Sequence, residues 1–153
     1  MLSQLIAYYD EYEKKLEELH RKAPATAGLL GMGGHPRDDR CNEIFYYNVE
    51  KWVDEFLKGN PAQEDVDTVA EWIVKLADVH RQDNTYWFCY ALQAHAKKLL
   101  PLMGREKAGE LQSWYNGAYP RVDRLPLQTE VYKLLLKRSG NSSQKGFGWL
   151  RRK

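Results

Sequence analysis

Apolar and aromatic residues open the chain at Leu2, Leu5, Tyr9, Tyr12, Leu16 and Leu19, in alternating steps of three and four. Those steps place them on one face of a helix over residues 3–22. The other face carries Asp10, Glu11, Glu13, Lys14, Lys15, Glu17 and Glu18, with Asp10–Lys14 and Glu11–Lys15 spaced as i,i+4 pairs. Such pairs contribute only about 0.2–0.5 kcal/mol each, so the stripe must find a packing partner. The period breaks at Pro24, and the stretch APATAGLLGMGGHPRDDR, residues 23–40, reads as a loop with Leu29, Leu30 and Met32 folding back over the core. A second helix is expected over 40–58, capped by Asp39, with Phe45, Val49, Trp52, Val53, Phe56 and Leu57 inward and Glu43, Glu50, Lys51, Asp54 and Glu55 in water.

Gly59 closes that helix. Asn60-Pro61-Ala62-Gln63 then offers an Asn cap, a proline at the first helical position and a glutamine placed for a capping box. The helix it starts, 61–80, carries Val66, Val69, Ile73, Leu76 and His80 on its stripe. A fourth helix over 84–100 points Trp87, Phe88, Ala91, Leu92, His95 and Leu99 inward, and a fifth over 105–116 uses Ala108, Leu111, Trp114 and Tyr115. Pro126 starts the last, 126–138, with Val131, Leu134 and Leu135 inward. No stretch alternates as a strand would. The expectation is an all-α, compact six-helix bundle: one domain over 1–138, followed by a flexible basic tail over 139–153. Self-comparison at an offset of 42 aligns Phe45 with Trp87, Tyr46 with Phe88, Leu57 with Leu99, Glu64 with Glu106, Val69 with Leu111 and Trp72 with Trp114. Two HEAT-like hairpins, 40–80 and 84–116, would produce that match, as would two unrelated amphipathic hairpins.

A length of 153 residues suits a single core, and 43% hydrophobic with 29% charged residues excludes a wholly disordered chain. No apolar run nears the roughly 18 residues of a membrane span, and the N-terminus turns acidic where a secretory signal would be apolar. A cytoplasmic protein without membrane association is expected. Cys41 and Cys89 are read as free thiols. The net charge of +2 hides a gradient, because residues 1–75 hold 9 Lys or Arg against 15 Asp or Glu, and residues 76–153 hold 14 against 6.

Candidate chemistry is sparse. His20, His35, Cys41, His80, Cys89 and His95 include no Cys-x-x-Cys pair and no His-Glu-x-x-His, and GLLGMGG lacks the Lys-Ser/Thr that completes a phosphate loop. Neither a metal nor a cofactor is expected, and no catalytic residue is assigned. Cys41, near a helix N-terminus and six residues from His35, is the best thiol nucleophile on offer. The basic, aromatic-interleaved positions Arg121, Arg124, Lys145, Phe147, Trp149, Arg151 and Arg152 are the candidate partner-binding set. Together these features favour a non-enzymatic protein-binding or regulatory module whose partner is another protein. The alternatives are RNA or single-stranded DNA binding through the basic C-terminal half, and a small enzyme using the His35–Cys41 loop.

Overall fold

The computed structural model describes residues 2–22, 38–81 and 85–140, which hold six α-helices, two 3-10 turns and no strand. The helices are α1 (Ser3–Lys22), α2 (Asp38–Lys58), α3 (Gln63–Val79), α4 (Thr85–Ala96), α5 (Arg105–Ala118) and α6 (Pro126–Ser139), with 3-10 turns at Leu100–Leu102 and Arg121–Asp123. The described residues divide into two compact units, one ending at Gly59 and one beginning at Asn60.

In the first unit α1 packs on α2. Leu5, Tyr12 and Leu16 from the α1 stripe are buried with Phe45, Val49 and Val53 of α2. The Tyr12 and Phe45 rings stack with centroids 4.8 Å apart, and the Tyr12 hydroxyl donates to Asn42 Oδ1 at 2.6 Å. Helix α2 begins two residues earlier than the sequence pattern suggests, so Asp39 lies within its first turn rather than at its cap. The side chain of Asp39, that of Leu19, and the loop residues Leu29, Leu30, Met32 and His35 lie outside the described residues.

In the second unit α3 pairs with α4 and α5 with α6, while α6 also covers the 3-10 turn at Leu100–Leu102. The core holds Val69, Ile73, Leu92, Leu99, Leu111, Tyr115, Val131 and Leu135, each at most 2% exposed. Asn60 is not the expected cap: it sits at φ +50°, a left-handed turn residue that asparagine tolerates, and Ala62 is the N-cap residue of α3. The Ala62 carbonyl takes the first helical bonds, from Asp65 and Val66. Helix α4 is shorter than expected. Pro101 cannot donate and restricts Leu100, so after Ala96 the chain tightens into i→i+3 bonds, Lys98 N to His95 O and Leu99 N to Ala96 O. Leu92 and His95 point inward as expected, joined by Cys89, Gln93 and Ala96, whereas Phe88 and Ala91 are half-buried. Pro126 does open α6, where the Leu125 N–H donates to Gln128 Oε1 at 2.8 Å, and Gly140 closes it at φ +78°.

The 42-residue alignment gives matched burial along α3 and α5: Val69 and Leu111 are buried, Trp72 and Trp114 half-buried, Glu64 and Glu106 exposed. Any two amphipathic helices set in the same register would show this. The Phe45/Trp87 match falls on the Trp87 side chain, which lies outside the described residues.

Candidate functional site

Helix α2 has more apolar surface than its packing against α1 uses. With Phe45, Val49 and Val53 buried, Ile44 and Tyr47 point off the core face and remain 42% and 55% exposed. One turn before Ile44 stands Arg40, and one turn after Tyr47 stands Lys51, both exposed. The positions 40, 44, 47 and 51 step by four, three and four, forming one continuous stripe on the helix. Its centre is apolar and each end is cationic. Neither Arg40 nor Lys51 has a carboxylate partner among the described residues, unlike Lys15, which pairs with Glu11 at 3.1 Å, and Lys58, which pairs with Glu55 at 3.3 Å. The Tyr47 ring is held by the edge of Tyr46, with centroids 5.5 Å apart and planes at 88°.

Beside the stripe, a shallow cleft between α1 and α2 is lined by Tyr8, Glu11, Tyr12, Lys15, Cys41, Ile44, Phe45 and Asn48. The stacked Tyr12 and Phe45 rings contribute apolar lining, and the Glu11–Lys15 pair lies on the α1 side. Cys41 is a half-exposed free thiol in the first turns of α2, and His35, its partner in the enzymatic alternative, lies outside the described residues.

The C-terminal candidates fare differently. Arg121 is exposed on the 3-10 turn, next to Val122, which is 91% exposed. Arg124 is spent on its own fold: its guanidinium carbon lies 3.7 Å from the Tyr132 ring centroid, Nε donates to the Tyr119 carbonyl at 2.8 Å, and a terminal nitrogen donates to Asn116 Oδ1 at 2.6 Å. Lys145, Phe147, Trp149, Arg151 and Arg152 lie outside the described residues. Other cations of this unit meet nearby acceptors: Lys97 pairs with Glu130 at 3.1 Å, Lys107 with Glu71 and Glu110, and Arg138 Nε donates to the Met103 carbonyl. Residues 60–140 contain 11 Lys or Arg against 10 Asp or Glu, and four further cations follow residue 140, which carry half of the excess of the C-terminal half.

A polar and aromatic cluster fills one region of the second unit. Tyr115 donates to Gln93 Oε1 at 2.7 Å, Gln128 Nε2 donates to the Tyr86 hydroxyl at 2.9 Å, and the Leu127 N–H donates to the Tyr90 hydroxyl at 3.3 Å. Arg81 lies over the Tyr119 ring, 4.7 Å from its centroid, bonded to Asp78 and, at 3.1 Å, to the Ala118 carbonyl. Burial pushes the Tyr119 hydroxyl up to about 12, with Tyr86 adding and Arg81 opposing. Burial raises Tyr115 further still. Each bond of this cluster joins parts of the same unit, which makes it a framework for α3 through α6.

Among the described residues no three His, Cys, Asp or Glu side chains group as metal ligands, and no helix is long and apolar enough to cross a membrane. Comparison with models of protein families, with curated proteins and with solved structures finds no match. Sequence reasoning passed over Ile44, Tyr47 and Arg40, and placed Lys51 among solvated residues without a role. The signal was present in the four-three-four spacing, offset from the stronger Phe45–Val49–Trp52–Phe56 stripe.

Proposed function

We propose that this protein is a non-enzymatic protein-binding module that docks a partner on the exposed stripe of α2. The exposure of Ile44 and Tyr47 at the centre of an otherwise charged stripe carries this reading. Neighbouring apolar side chains left in water, rimmed by polar groups, are characteristic of interaction surfaces, and tyrosine and arginine, both present on this stripe, are enriched in binding hot spots. The near balance of charge over residues 60–140 supports a protein partner over a nucleic acid, which would favour a sustained cationic track.

A photo-reactive benzophenone side chain at position 47 of the full chain tests this in cells that produce it. The expected outcome is a discrete protein adduct that disappears when Ile44→Asp is added and is absent with the probe at position 14. Adducts removed by nuclease would replace the reading with the nucleic-acid alternative.

A further inference from the structure

Resting on that protein-binding reading, we infer that the stripe of α2 receives an acidic amphipathic helix, with apolar side chains against Ile44 and Tyr47 and a carboxylate over each of Arg40 and Lys51. The charges select this occupant. Arg40 and Lys51 are exposed, lack carboxylate partners among the described residues, and bracket the apolar pair one turn away on each side. Eleven residues at 1.5 Å per residue separate them by about 16 Å, three helical turns, so a partner helix matches them with acids spaced about three turns apart around an apolar pair.

A second copy of the chain fits poorly on the same stripe. Laid antiparallel, Arg40 of one copy would face Lys51 of the other; laid parallel, each cation would face itself. Both registers juxtapose like charges, which costs affinity. A nucleic acid strand fits poorly as well, because two cations separated by isoleucine and tyrosine neutralise few phosphates.

The test is fluorescence anisotropy with the full chain and two labelled 18-residue helical peptides sharing one Leu/Ala face. One carries Glu at positions three turns apart, and the other carries Gln there. The acidic peptide should bind about tenfold more tightly. Its advantage should vanish in the Arg40→Gln/Lys51→Gln double variant and shrink as salt rises from about 50 to 300 mM. Ile44→Ser with Tyr47→Ser should abolish binding of both peptides. These substitutions fall on exposed positions, and circular dichroism verifies that the helices persist. Equal affinity for the two peptides, or an advantage that survives the double variant, overturns the inference. No binding of either peptide while the position-47 protein adduct still forms overturns the acidic-helix inference and leaves the protein-binding reading standing. Loss of that adduct removes both.

Discussion

The Tyr115 hydroxyl donates to Gln93 Oε1 at 2.7 Å, and both side chains are completely buried, one from α5 and one from α4. The Gln93 Nε2 has no hydrogen-bond partner among the described residues, so this single bond satisfies the one end of the amide that is satisfied at all. Tyr115→Phe leaves both ends unmet and should destabilise by about 1–3 kcal/mol in urea unfolding. Adding Gln93→Leu removes the stranded amide, and the double variant should recover much of that loss. A double variant as unstable as the sum of the singles would show that the hydroxyl and the amide contribute independently and that the bond between them is of little weight.

Stability should fall as the solution turns strongly alkaline. Tyr119 titrates near 12 when folded, against about 10 in an unfolded chain, so above about pH 10 the unfolded state releases a proton that the folded state keeps. Its contribution is intact below about pH 10 and is lost as pH rises through 12. Tyr119→Phe should flatten the slope of unfolding free energy against pH in that window. A slope unchanged by the substitution would mean that other tyrosines govern it.

Arg124 ties the α5 end to α6 by stacking on Tyr132 and bonding to Tyr119 O and Asn116. Arg124→Met keeps the aliphatic stem and loses those interactions, with an expected cost of about 1–2 kcal/mol. A cycle with Tyr132→Leu should return a coupling of about 0.5–1 kcal/mol for the cation–ring contact. Zero coupling would assign the whole effect to the two hydrogen bonds.

The helices were legible because their stripes are long and regular. Leu5, Tyr12 and Leu16 are buried where the period of α1 places them, and Pro126 starts α6 as its fixed φ favours. At helix ends the structure departs from the sequence pattern where the backbone solves a different problem. Asn60 supplies a left-handed turn instead of a cap, and Pro101 ends α4 early by tightening the backbone ahead of it. Trp114, placed with Tyr115 on the inward stripe by the sequence pattern, is half-buried beneath Lys75, whose Nζ is 5.1 Å from the ring centroid, and Tyr115 takes the interior position. Helical periodicity cannot tell adjacent aromatics apart when either would fit the stripe. The candidate site was harder to read, since exposure of Ile44 and Tyr47 depends on which part of an apolar-rich helix its partner helix covers.

Stability measurements should be nearly blind to the proposed docking stripe. Ile44→Ser and Tyr47→Ser, at 42% and 55% exposure, should each shift unfolding by no more than about 0.5 kcal/mol. A loss above about 2 kcal/mol for either would place that side chain in the framework of the fold and not on a docking face.

Helices α1 and α2 bury six hydrophobic side chains among the described residues, whereas 60–140 bury nineteen. Local opening free energy follows such packing, so the chain should keep two clocks for amide hydrogen exchange. Deuterium should enter α1 and α2 well before it enters α3, α5 and α6. The exposed residues Lys58, Gly59 and Asn60 should mark the step between the two rates. The element that carries the proposed docking stripe is then also the one expected to open most often, and a bound partner would be read out as slower exchange along α2.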